Sequence, residues 1–256
     1  MSKSSIQIVQ LSCLKDNYCA LIHDPESGCT VVVDTPDGDA ISRELKARQW
    51  QLSHILTTHH HWDHIDGHQQ LKAEYGATVA GPAANAEQIP ALDIALHDGD
   101  VLEAGTIRLE AIATPGHTLG HMCYYSAQAR AAFVGDTLFS MGCGRLFEGT
   151  PAQMWQSMLR LRQLPADTAL YCGHEYTLSN AKFALALDPG NQALQQRAAE
   201  VSALREQGLP TLPTSIAQEL QTNPFMRADA LHDALGMSSA SDAEVFAEIR
   251  ARKDNS

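Results

Sequence analysis

Short apolar or alternating runs, separated by turn signals, fill the first half of the chain. Residues 6–11, 18–23 and 29–34 combine β-branched and aromatic side chains and predict strands. Pro25-Glu26-Ser27-Gly28 predicts the hairpin connection between the last two. Over 40–49 the period changes: Ile41, Leu45 and Arg48 share one face, which predicts a helix. Residues 52–57 then predict a strand and 65–73 a helix. Strand signals recur at 78–80, 101–102, 107–112, 122–125 and 132–134, and again just before Cys172. Residues 151–163 predict a helix with Thr150 as cap and Pro151 in the first turn.

The pattern changes after Cys172-Gly173-His174-Glu175. Helical periodicity covers 181–187 and 191–207, parted by the turn Asp188-Pro189-Gly190. Pro210, Pro213 and Pro224 punctuate the stretch beyond Gly208, and a last helix is predicted over 242–253. The chain therefore divides into a mixed α/β body, 1–175, and an all-helical C-terminal piece, 176–256, with no internal repeat.

Composition narrows the class. With 256 residues, 44% hydrophobic and 19% charged, the chain suits one large globular domain, or one domain with an appendage. No run approaches the roughly 18 apolar residues of a membrane span. Residues 1–7 lack the apolar core and cleavage pattern of a signal peptide. Six cysteines without a CxxC pair are then expected as free thiols in a reducing cytoplasm. The formal net charge of −12 argues against a nucleic-acid backbone or an anionic membrane as partner. It also requires that any anionic substrate meet local positive charge.

The chemistry concentrates in Thr57-Thr58-His59-His60-His61-Trp62-Asp63-His64. His59 and His61 sit two apart, so on an extended segment they point the same way. Asp63 and His64 follow around a turn. Four such ligands from one loop are too many for one tetrahedral zinc, and two ligand sets for two adjacent metals is the simplest reading. Three further positions share a strand-end context: His117 in Thr114-Pro115-Gly116-His117, Asp136 in Phe133-Val134-Gly135-Asp136, and His174 after Cys172-Gly173. Each alone is weak, since an isolated His or Asp after a turn is more often a packing or turn residue. With the histidine loop they form one set. His54, His60, His68 and His121 are expected to serve packing or the surface. Asp34 and Asp66 are candidates to orient the metal-bound imidazoles.

The order HxHxDH, PGHTLGH, GDTLF, CGHEYT resembles the metallo-β-lactamase superfamily. Gly142-Cys143-Gly144-Arg145-Leu146-Phe147-Glu148-Gly149-Thr150 and Asn223-Pro224-Phe225-Met226-Arg227 are similar, within it, to the hydroxyacylglutathione hydrolase (glyoxalase II) family. The resemblance implies a four-layer αβ/βα sandwich. It implies one metal on His59, His61 and His117, a second on Asp63, His64 and His174, and Asp136 bridging the two. The metals are expected as two zinc ions, with iron or manganese accepted by the same donors. The implied reaction is hydrolysis of S-D-lactoylglutathione and related 2-hydroxyacyl thioesters to glutathione and D-lactate, the second step of methylglyoxal detoxification. A metal-bridging hydroxide is the implied nucleophile, with Asp63 and Asp136 as the catalytic carboxylates. The C-terminal piece would bind glutathione through Tyr176, Arg250 and Lys253, together with Arg145 and Phe147 of the α/β body. Arg145 stands where the family often has lysine, and Phe147 where it often has tyrosine. The thioester is the one expected partner, and the chain is expected as a monomer.

Four other readings compete with this one. An iron-dependent persulfide dioxygenase shares the fold and many ligands, but uses one metal and an oxidation. A lactonase or β-lactamase-like hydrolase is weakened by the long C-terminal part. A metal-binding protein without chemistry fits the complete ligand set poorly, because a structural site closes with four ligands. A nuclease of the same superfamily is disfavoured by the acidic balance.

Overall fold

A computed structural model describes residues 6–256; Met1–Ser5, part of the stretch read above for a leader, lie outside them. Contacts divide the chain into two compact units, Met1–Ala113 with Gly120–Gly135, and Thr114–Leu119 with Asp136–Ser256.

The first unit is built on β1 (Gln7–Cys13), β2 (Asn17–His23), β3 (Cys29–Val33), β4 (Gln51–Leu56), β5 (Thr78–Pro82) and β6 (Ile94–Leu96). They form one sheet in that order, antiparallel from β1 to β3 and parallel from β3 to β6. All seven residues of β2 are buried, as a strand flanked on both sides and covered on its faces requires. Helix α1 (Gly38–Arg48) presents Ile41 and Leu45, and Leu71 lies on α3 (His68–Tyr75). These pack with Leu21, Val32, Leu52, Ile55 and Val79 of the sheet into one core. A one-turn helix α2 (Trp62–Ile65) precedes α3. The single helix expected over 65–73 is thus broken at Gly67. There the Gly67 N–H donates to Thr35 O at 2.9 Å instead of continuing the helical ladder, and a side-chain carbon on Gly67 would sit 2.9 Å from the backbone of Gly38. Strands β7 (Val101–Ala104), β8 (Ile107–Ala113), β9 (Met122–Ser126) and β10 (Ala131–Gly135) run as an antiparallel meander.

The second unit begins with the two-residue hairpin strands β11 (Leu138–Phe139) and β12 (Gly142–Cys143). Helix α4 (Pro151–Leu161) starts at the expected cap, Thr150, which forms a capping box with Gln153. Strand β13 (Ala169–Cys172) pairs antiparallel with β14 (Thr214–Ser215). Helices α5 (Thr177–Leu187) and α6 (Gln192–Glu206) pack around Met141, Ala184, Leu194 and Val201. Helix α7 (Ile216–Thr222) follows, and α8 (Asp242–Asp254) closes the chain with Phe246 against Phe225 and Trp155. Among the described residues no helix is long and apolar enough to cross a membrane.

Candidate metal centre

In the first unit the parallel pairing of β3 with β4 sets Val33 opposite Leu56, so both strands release their chains at the same sheet edge. Ligand sites in open parallel sheets gather at such carboxyl ends. Asp34 leaves β3 in the left-handed region, φ 59°, a conformation that a short polar side chain tolerates. Its buried carboxylate accepts from Thr58 N and Thr58 Oγ1, both at 2.8 Å, and from His64 Nδ1 at 2.8 Å. The Thr58 hydroxyl spends its proton on Asp34, so it accepts from His59 Nδ1 at 3.0 Å. Both imidazoles therefore carry their lone pair on Nε2, the tautomer a metal needs. His59 Nε2 lies 3.0 Å from His61 Nδ1. Two donors on one tetrahedral zinc sit roughly 3.3 Å apart, so this pair fits a shared cation.

Asp63 lies on α2, with Oδ2 3.9 Å from His64 Nε2. Buried Asn17 at the start of β2 donates to Asp63 Oδ2 at 3.0 Å and to its carbonyl at 3.2 Å. Beneath the loop, buried His68 bridges Thr35 Oγ1 and Thr57 Oγ1. Burial lowers its pKa to about 3, so it stays neutral and serves as a strut. His121 is buried with its ring on that of His59, centroids 5.0 Å apart. Asp66 departs from expectation: it is exposed, and the carboxylate that orients His64 is Asp34. Asn17 and Thr58 were not singled out from sequence.

The second unit holds the other three expected ligands. His117 Nδ1 donates to Arg145 O at 2.7 Å, which again leaves the lone pair on Nε2. That nitrogen is 3.5 Å from Asp136 Oδ2, and His174 Nε2 is 3.4 Å from the same oxygen. One buried carboxylate oxygen set equally between two imidazoles is the arrangement a bridging ligand requires. The glycines of 142–149 permit it. A side-chain carbon on Gly144 would overlap Asp136 O, and one on Gly149 would meet the backbone of Gly116 at 2.6 Å. Next to His174 in the chain, Glu175 accepts from Thr211 N at 2.9 Å and from Thr211 Oγ1 at 2.7 Å. The His174 ring also stacks on Tyr176 at 4.7 Å.

The candidate recognition residues are held differently. Arg145 and Phe147 are exposed, and Phe147 sets its ring edge-on to His117 at 5.3 Å. Tyr176 is exposed as well. Arg250 is buried. Its Nη1 donates to Cys143 O at 3.0 Å, its Nη2 to Asp254 Oδ1 at 2.8 Å, and its guanidinium lies over Phe225. Lys253 is half-buried with its ammonium over Phe183. Asp254, a carboxylate among these cations, was not singled out from sequence. The i,i+4 spacing from Arg250 is the signal that would have found it.

Residues 15–174 match the metallo-beta-lactamase superfamily model, and residues 175–256 match the model for the hydroxyacylglutathione hydrolase C-terminus. The hydroxyacylglutathione hydrolase of Brucella anthropi is 54% identical over 254 residues, 97% of this chain and 96% of that protein. The hydroxyacylglutathione hydrolase of Maricaulis maris is 50% identical, over 98% of this chain and 99% of that protein. Among solved structures, ETHE1 from Myxococcus xanthus superposes with a TM-score of 0.67 at 26% identity, covering 96% of this chain and 98% of that one. The fold is thus of the metallo-β-lactamase type. With both models matched in order and half the residues shared over nearly the full length, the chain belongs to the hydroxyacylglutathione hydrolase family of the metallo-β-lactamase superfamily.

Proposed function

We propose that this chain hydrolyses S-D-lactoylglutathione and related S-2-hydroxyacylglutathiones to glutathione and D-lactate. In this reading His59, His61 and His117 hold one metal, Asp63, His64 and His174 hold a second, and Asp136 bridges them. Zinc suits this donor set, and iron or manganese fits it too. The observation that carries the reading is the single Asp136 oxygen lying 3.5 Å and 3.4 Å from the His117 and His174 nitrogens. The hydrogen bonds from His64 to Asp34, from His59 to Thr58 and from His117 to Arg145 support it, because they put three lone pairs on the ligating side.

Two such cations, when bound, polarise a carbonyl oxygen and bring the pKa of a water near ~7. The chain's own residues do the rest. Asn17 fixes Asp63, whose carboxylate would then orient the attacking hydroxide through a hydrogen bond. The leaving group needs no acid from the protein, since a thiol of pKa about 8.5 departs as thiolate. Arg145, Phe147, Tyr176, Arg250 and Lys253 would bind the glutathionyl carrier, with residues 1–175 as the catalytic part and 176–256 as the carrier-binding part. The reading includes a monomer in the cytoplasm. Six cysteines held as free thiols fit a reducing compartment.

The test is thioester loss from S-D-lactoylglutathione before and after chelation, with zinc, iron or manganese restored and metal counted per chain. Chelator-sensitive release of free thiol with two metals bound is expected. Oxygen consumption with a persulfide, and none of this hydrolysis, would replace the reading with a dioxygenase.

A further inference from the structure

The last residue of α8 is a carboxylate, placed where a helix disfavours one. A helix C-terminus carries partial negative charge, and acidic side chains there are destabilising. Asp254 nevertheless ends α8, directly after Arg252 and Lys253. Its surroundings account for it. Asp254 Oδ1 accepts from Arg250 Nη2 at 2.8 Å and lies 3.6 Å from Arg145 Nε. One oxygen thus faces two guanidinium groups from separate segments, with the Lys253 ammonium as sequence neighbour. Burial and Arg250 pull the Lys253 pKa below the usual lysine range, and Asp254 opposes them. The cluster is crowded with positive charge, and Asp254 relieves it.

The contact is also built to be given up. A guanidinium holds a carboxylate most strongly through two parallel hydrogen bonds. Asp254 gives Arg250 one, and Arg250 Nε has no hydrogen-bond partner. Arg250 does not need Asp254 to keep its place, because Nη1 is anchored on Cys143 O and the guanidinium rests on Phe225. The Arg145 and Asp254 side chains are 62% and 38% exposed, so an anion from solvent can reach the pair.

We infer that Asp254 is an internal placeholder for a substrate carboxylate: it neutralises Arg145 and Arg250 between turnovers and is displaced when the carboxylate of a glutathionyl group arrives. This rests on the glutathione-thioester reading above. The placeholder competes with substrate and product alike. It therefore weakens carrier binding and speeds release of glutathione.

The test is Asp254→Asn, read by calorimetric binding of S-methylglutathione and by KM for S-D-lactoylglutathione. Both constants are expected to fall about three- to fivefold, the range of a partly exposed ion pair. The lactoyl thioester of N-acetylcysteamine carries no carboxylate, and its kcat/KM is expected not to move. Asp254→Glu keeps the charge and is expected to keep the wild-type constants. Unchanged or weaker binding in Asp254→Asn would overturn the inference and make Asp254 a strut that positions the two arginines. Tighter binding in Asp254→Glu would overturn it as well, since charge would not be the cause. S-methylglutathione binding that responds as expected, in a protein that cleaves no thioester, would uphold the inference while the hydrolase reading fell.

Discussion

The proposed ligand residues and most of the proposed recognition residues are held in different ways. His59, His64 and His117 each spend their Nδ1 proton on a fixed acceptor, respectively Thr58 Oγ1, Asp34 and the Arg145 carbonyl. Asp63 is held by Asn17. Around them are buried polar groups whose partners are protein atoms. Arg145, Phe147 and Tyr176 show their side chains to solvent instead. Arg145 belongs to both regions, its carbonyl orienting His117 while its side chain faces outward. A metal demands ligand geometry set in advance, and partners behind the ligands supply it. A carrier held by surface cations tolerates side chains that adjust on binding. The contrast says that substitutions in the first set should act on metal content and turnover, and those in the second on KM.

The largest test of that contrast is Asp136→Ala. It removes the oxygen that two histidines share, and should cost at least about 100-fold in kcat together with bound metal. Retained turnover with two metals per chain would break the site assignment. Asp34→Asn comes next. The amide cannot accept from Thr58 N, Thr58 Oγ1 and His64 Nδ1 together, so metal affinity should fall about 10- to 100-fold by competition with a chelator. Asn17→Ala deletes two hydrogen bonds to Asp63, and should lower kcat by about tenfold with KM little changed. A pure KM effect would move Asn17 to the recognition side of the comparison.

Much of the proposed ligand set stood out in the sequence because its residue types are uncommon in such density. Five ligand-type residues within 59–64 need an explanation, and His117, Asp136 and His174 became meaningful through their order after it. The partners behind them were mixed. Asp34 stood out as a carboxylate ending an apolar strand. Asn17 and Thr58 did not, since hydroxyls and amides in loops have many uses and only the pairing of β3 with β4 brings Asp34 to Thr58. Long elements were legible from period, whereas β6, β11, β12 and β14, of two or three residues, carry too few positions for one. Helix α7 was hidden between prolines. Its buried Glu219 looks polar in sequence, yet it accepts from Met141 N, Thr214 Oγ1 and Asn223 Nδ2, and so joins the helix to the β11–β12 hairpin. Arg250, expected among the glutathione-binding cations, is set in a way its sequence context does not show. A basic residue in a C-terminal charge cluster reads as solvated, but the fold buries it over Phe225.

The smallest effect sharpens the comparison most. Phe147 touches both regions, with its ring against His117 and 62% of its surface exposed. If it belongs to recognition, Phe147→Tyr adds a hydroxyl that a glutathionyl amide or carboxylate can accept from. One such hydrogen bond is worth about 1 kcal/mol, or roughly a fivefold lower KM. The backbone N–H of Phe147 donates to His117 O at 3.2 Å and is untouched by the change, so kcat and metal content should hold. Steady-state kinetics with S-D-lactoylglutathione, run beside a metal count, separates the outcomes. A lower KM at constant kcat keeps Phe147 with the adjustable set. A fall in kcat or in bound metal would mean that the ring braces His117, and the boundary between the two regions would then run through residue 147 rather than at the Arg145 carbonyl.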